Sequence, residues 1–361
     1  MNITFMIGNG FDVGLGIHSR FKDFFPTYIK KSTQKPPEIK RLSESIKGNF
    51  ETWSDFETQM GLYTSEFDVS NKHLYPAQFR DFETEFIEYL KNDEQQLSFD
   101  DVSSISKMMI SALTTFYSVN NLRTASSNLI SGVFSNNGGH AHTYNFISFN
   151  YTSTLEKCLK TIPNGIVQTR KVGSATLTDR IGKTVHVHGA IDHAPIMGVN
   201  DDSQIANKEL AKDPRFARYI VKPTLNSLHR TNQDRDAADL INGSQIICVY
   251  GMALGATDKC WWERVLQWLS ASQGRQLVIF DYDPSFNTSS QFDWIDKEDS
   301  IIDKLAGYVK NVQIDVESLR SRIHIAVHKN IFEKSLRILT EKEIASKLYG
   351  ITDERVLERI G

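Results

Sequence analysis

Short apolar runs, most ended by a glycine or a small polar residue, alternate with amphipathic stretches along the chain. Residues 3–7 (ITFMI), 144–149 (YNFISF), 184–188 (TVHVH), 245–250 (QIICVY), 276–280 (QLVIF) and 322–327 (RIHIAV) read as strands. Most are apolar throughout, which fits strands of a parallel sheet covered on both faces. Elsewhere the apolar positions recur at three and four. Phe21, Phe24, Phe25 and Tyr28 predict a helix over 19–31, and Phe79, Phe82, Phe86 and Leu90 make another stripe. Weaker helical patterns cover 108–116 and 128–134, and helices over 153–161 and 258–270 each follow a strand. Strand and helix in alternation predict an α/β, Rossmann-like parallel sheet.

Residues 38–136 carry little strand signal and much charge, and the turn residues Ser135 to Gly139 close them off. The expected organisation is a discontinuous α/β core over 1–35 and 137–332, a large helical insertion over 36–136 after the first strand–helix unit, and a helical tail over 333–361.

Composition narrows the class. Apolar residues are 40% of the 361, and 41 Lys+Arg stand against 44 Asp+Glu for a net charge of −3. That excludes a disordered chain and argues against general nucleic-acid binding. Three cysteines, Cys158, Cys248 and Cys260, cannot make a four-cysteine zinc site. No apolar stretch approaches the roughly 20 residues of a membrane span, and the N-terminal apolar run lacks a cationic start. The expectation is a soluble cytoplasmic protein with no membrane association.

In open parallel sheets, ligands bind beyond the carboxyl ends of the strands. Four such loops carry chemistry here. Gly8, Asn9, Gly10, Phe11, Asp12, Val13 and Gly14 form a G-x-G-x-x-x-G turn suited to backbone approach toward a pyrophosphate; a plain glycine turn is the competing reading. No second strand ending in an acid follows about 20 residues on, which weakens a dehydrogenase reading. Asn150, before Thr152 and Ser153, is either a turn residue ahead of a capped helix or an amide aimed at a ribose or a water. His186 and His188 share a strand face, and His188 precedes Gly189. A metal pair is conceivable, but His188 suits proton transfer at neutral pH, with His186 in support. Gly251 and Met252 open the fourth loop, in which Asp258 has a sufficient role as a helix cap. Asp281, at the end of the next strand, suits a ribose diol or a turn before Pro284. Lys208 to Arg218 reads as a solvated helix face.

As a set, the motifs carry a resemblance. Ile7 to Asp12, continuing through Gly16-Ile17 and Phe21-x-Asp23-Phe24, resembles the opening of the AbiH family of bacterial phage-defence (abortive infection) proteins. Ser148 to Thr152 with Leu155-Glu156, the His186-Val187-His188-Gly189 strand end and Tyr250-Gly251-x-x-Leu254-Gly255-x-x-Asp258 resemble it too. The series is also similar to a divergent sirtuin-like core. That resemblance implies Gly8, Asn9 and Gly10 at an NAD pyrophosphate, Asn150 at the nicotinamide ribose and its water, and His188 as the base. It further implies Gly251 and Met252 at the adenosine ribose, with Asp281 the polar residue at the end of the next strand. Around this pocket, Asp12, Phe21, Phe11, Thr152 and Gly189 are the accompanying contacts. The missing zinc ribbon argues against a protein deacetylase.

The implied function is NAD+ glycohydrolysis in phage defence, with NAD+ a substrate and no true cofactor. The alternative is a module that senses NAD or ADP-ribose and acts through protein partners. A phage-derived trigger protein and a homo-oligomer are the implied partners, and the helical insertion is a candidate for gating, oligomerisation or sensing.

Overall fold

The computed structural model describes residues 1–192, 195–229, 232–310, 312–333, 336–340, 343, 344 and 347. The strands in chain order are β1 (Asn2–Ile7), β2 (Leu97–Ser98), β3 (Thr143–Ser148), β4 (Ile166–Val172), β5 (Ala175–His186), β6 (Ile246–Tyr250), β7 (Gln276–Asp281), β8 (Ile323–Val327) and β9 (Arg337–Ile338). Seven of them make one sheet in the order β4-β5-β3-β1-β6-β7-β8. Every neighbouring pair is parallel except the hairpin β4–β5. The mixed α/β, Rossmann-like architecture read from the sequence is therefore present, with β1 at the centre of the sheet.

Along β1, β3, β6, β7 and β8 residues alternate between the two faces of the sheet, and both faces are buried. Ile3, Phe5 and Ile7 join Phe146, Cys248 and Val278 under the helices Val102–Thr115 and Thr124–Asn136. Met6, Ile147, Ile247, Val249 and Ile279 face the opposite way, toward Lys259–Ser270 and Gln291–Tyr308. Covering both faces explains why these strands read as unbroken apolar runs.

The hairpin is a departure from the sequence reading. The strand expected over 184–188 begins at Ala175 and ends at His186, and β4 was not anticipated. Its pattern Gln168-Thr169-Arg170-Lys171 is polar because the faces of β4 are left largely uncovered, with Val167 its one buried residue, whereas the other edge strand, β8, is covered and apolar. The tail expected to be helical over 333–361 lies largely outside the described residues; within them, Arg337–Ile338 pairs antiparallel with β2.

Residues 37–136 pack in two places. Helices 102–115 and 124–136 cover the sheet, whereas residues 37–95 build an aromatic cluster with the helix Phe21–Ser32. Phe24, Phe25, Tyr28, Phe56, Phe82 and Phe86 are its fully buried centre. Met197, Val199, Leu210, Phe216 and Ile220 close it from the later chain. The run 208–218 is two short helices, Lys208–Ala211 and Pro214–Ala217, that bury Leu210 and Phe216 here. Among the described residues no helix is long and apolar enough to cross a membrane.

Candidate active site

Parallel strands end on the same side, so the loops after β1, β3, β5 and β6 meet. Between them and the aromatic cluster lies a cleft of about 450 Å³, within the usual size of small-molecule sites. Gly8, Asn9, Asp12, Asn150, Thr152, His188, Gly251 and Met252 line it from the strand ends; Phe21 and Glu57 line it from the helical side.

The glycines let two strand ends touch. Gly251 has φ +67°, and a Cβ there would lie 2.7 Å from the Phe11 nitrogen; one on Gly10 would lie 2.6 Å from the Gly251 Cα. Gly8 donates to the Tyr250 carbonyl (2.9 Å) and Gly10 to that of Gly251 (2.8 Å). Those amides join the β1 and β6 loops, so on this wall the cleft is offered the polar side chains of Asn9 and Ser19 instead.

Across the floor, buried polar groups converge. The Thr152 hydroxyl donates to Asp12 Oδ2 (2.7 Å), while Asp12 Oδ1 has no partner. Burial pushes the Asp12 carboxyl up to about 7; the Thr152 hydroxyl opposes this and the Glu94 charge adds to it. The Asn150 side chain lies close enough to Asp12 to favour its charged form but makes no well-formed hydrogen bond, and the Nδ1 of His188 is buried and unpartnered. Buried polar groups are normally satisfied, so four buried atoms without a well-formed hydrogen bond, on three residues of one cleft, point to a ligand that completes them.

His188 and His186 do separate work. His188 Nε2 lies 2.9 Å from Asp258 Oδ1, and its ring packs edge-on against Phe149. Asp258 also accepts from Lys222 (3.0 Å), and Lys222 donates to Glu57 (2.8 Å). Burial alone would raise the Asp258 carboxyl, but Lys222 and His188 outweigh it and hold it well below the usual carboxylate range. The Lys222 ammonium, buried itself, is held above its ordinary value because the charges of Asp258 and Glu57 overcome its desolvation. His186 instead donates from Nδ1 to the Asn150 backbone carbonyl (3.0 Å) and bonds Glu156 through Nε2. Burial would lower the His186 pKa, but the Glu156 carboxylate raises it overall. The two histidines therefore do not converge on a metal, and among the described residues no cluster of metal-ligating side chains occurs.

The helix Thr154–Lys160, which follows Asn150, is anchored by a residue of the helical insertion. Glu94 accepts from the Ser153 amide (2.9 Å), the Thr154 hydroxyl (3.1 Å) and Lys157 (2.8 Å).

Besides His186, several residues singled out from the sequence do not line the cleft. Gly10 packs against Gly251, and Phe11 is buried edge-on against Phe332. Gly189, with φ +68°, supplies the turn after His188. Asp281 pairs with Lys297 at 2.9 Å. Conversely, Glu57 and Lys222 were missed. They stand 165 residues apart, and no local pattern joins them. For Asp258 the reading as a helix cap gives way to the pairing with His188 and Lys222, since its side chain makes no cap bond.

Comparison with curated proteins yields no match. The family model for bacteriophage abortive infection AbiH does match, over residues 4–281, a span that takes in most of β1, all of β2 through β7 and every cleft residue named above. With more than half its length matched, the chain belongs to the AbiH family of bacteriophage abortive infection proteins.

Proposed function

We propose that the cleft binds NAD+ and hydrolyses the bond between nicotinamide and ribose, as the effector step of abortive infection. The observation that carries this reading is the set of buried atoms without a well-formed hydrogen bond on Asp12, Asn150 and His188 in one cleft at the strand ends. An N-glycosidic bond to a cationic pyridinium needs little covalent help. The site must hold the ribose, stabilise an oxocarbenium-like transition state and deliver water.

In this scheme the C1′–N bond breaks and its electron pair neutralises the nicotinamide ring. The water oxygen bonds to C1′, and its proton passes to His188 Nδ1. Asn150 offers an amide donor and an acceptor, enough to orient the water and a ribose hydroxyl together. Asp12 faces the developing positive charge. Asn9 and Ser19 meet the phosphates, and Phe21 walls off the leaving group.

The test is mass-spectrometric release of nicotinamide from NAD+ by the purified protein and by His188→Ala and Asn150→Ala. General-base catalysis contributes about 10²–10⁴-fold, so each variant is expected to lose at least about 100-fold. Equal rates in all three sink the assignment. Calorimetric binding without nicotinamide release favours a nucleotide sensor instead.

A further inference from the structure

Lys222 is a cation buried behind two residues that line the cleft, Glu57 and Asp258, and the mechanism above does not use it. It sits between two carboxylates from distant parts of the chain, Glu57 in the helical insertion and Asp258 in the loop after β6. An ammonium withdrawn from water is costly unless it is paired on more than one side, and this one is. Asp258 has one oxygen, Oδ1, that accepts from both Lys222 and His188. A carboxylate kept ionised only accepts hydrogen bonds, so the His188 nitrogen facing it must carry the proton. In the neutral ring that leaves Nδ1, the unpartnered atom, with its lone pair.

We propose that Asp258 is a positioning residue that fixes His188 in the Nε2–H tautomer, and that Lys222, braced by Glu57, holds Asp258 in place to do so. This rests on the reading of His188 as the base. The charged groups facing His188 are Asp258 and Lys222, with Asp234 on the helix Gln233–Asn242 a more distant carboxylate. Asp234 is engaged by the Asn226 amide at 2.7 Å and leaves the Nε2 contact to Asp258. Glu57 also accepts from the Gly198 amide (3.2 Å). The helical insertion, the 195–222 segment and the β6 loop are thus joined at one point behind the histidine.

The experiment has an arm without substrate and an arm with it. Nitrogen NMR of histidine-labelled full-length protein, with the His188 signals assigned by their loss in His188→Gln, reads the tautomer directly. The expected result is a proton on Nε2 in wild type and loss of that preference in Asp258→Asn, whose amide can donate to the ring. Nicotinamide release is then measured for Asp258→Asn, His188→Ala and the double variant. Removing the acid partner of a catalytic histidine costs on the order of 10⁴-fold in the best-studied triad, and about 10²–10⁴-fold is expected here. Because Asp258 acts through His188, the double variant is expected to be no slower than His188→Ala alone.

A wild-type proton on Nδ1 overturns the proposal whether or not Asp258→Asn folds. So does an unchanged tautomer in Asp258→Asn, an unchanged rate beside an active wild type, or full additivity in the double variant. If wild type releases no nicotinamide, the glycohydrolase reading fails by itself, and the tautomer still decides the positioning.

Discussion

Gly251→Ala tests whether the contact between the β1 and β6 loops builds the cleft. The added Cβ brings two separate costs. A residue with φ +67° lies in the left-handed region, where an L side chain costs about 1–2 kcal/mol. The new atom would also lie 2.7 Å from the Phe11 nitrogen and 2.8 Å from the Gly10 Cα, both backbone, so no side chain can swing aside. Overpacking of that kind costs about 1–3 kcal/mol. The sum, about 2–5 kcal/mol, is a large share of the roughly 5–15 kcal/mol that holds a typical domain folded. Urea denaturation should show a lowered midpoint with an unchanged slope. Gly132→Ala is the control: its Cβ meets nothing within 4 Å in the helix Thr124–Asn136, and it should stabilise by about 0.5–1 kcal/mol. A Gly251→Ala protein within about 0.5 kcal/mol of wild type would refute the argument.

Further outcomes follow from the same contacts. The Asp12 carboxyl is raised to about 7, so between its unfolded pKa and about 7 the folded state holds a proton that the unfolded state has lost. Stability due to this group is therefore full at low pH and falls as pH rises, by about 2–3 kcal/mol between pH 5 and 7. Asp12→Asn should remove that slope in denaturation curves; an identical slope in the variant contradicts it. Glu94→Ala should lower stability by about 1–3 kcal/mol, and Glu94→Gln by less, because the glutamine keeps an acceptor for Ser153 and Thr154. Equal losses by calorimetry would show that the acceptor is irrelevant. Phe82→Ala removes a ring stacked 3.9 Å from Phe56 and should cost about 3–5 kcal/mol by denaturation; a loss under about 1 kcal/mol would mean that the cluster refills.

What the sequence revealed depends on how local its signals are. β1, β3, β6, β7 and β8 are apolar because both faces of the sheet are covered, and their limits read to within a residue or so. Of the hairpin β4–β5 only the end of β5, read as 184–188, was legible: the rest takes threonine, lysine and arginine at exposed positions and has no apolar run to announce it. In the site, Asp12, Asn150 and His188 were legible because each lies within a few residues of a strand end, Asp12 in the short helix Gly10–Leu15. Glu57 and Lys222 were not, since a buried ion pair between segments far apart leaves no spacing to read. The helical insertion was recognised as helical from its aromatic stripes. That its parts separate, one onto the sheet and one over the cleft, is set by tertiary packing alone.

The central place of β1 has a consequence for the order of events during synthesis. Its two neighbours, β3 and β6, lie at residues 143–148 and 246–250, so β1 is made well before either strand that encloses it. At about 5–20 residues per second, β1 waits roughly 10–50 s for its second partner. Until then Gly251 is missing and the β1 loop has nothing to close against. The wall that the two loops make together can form only once Gly251 has been made.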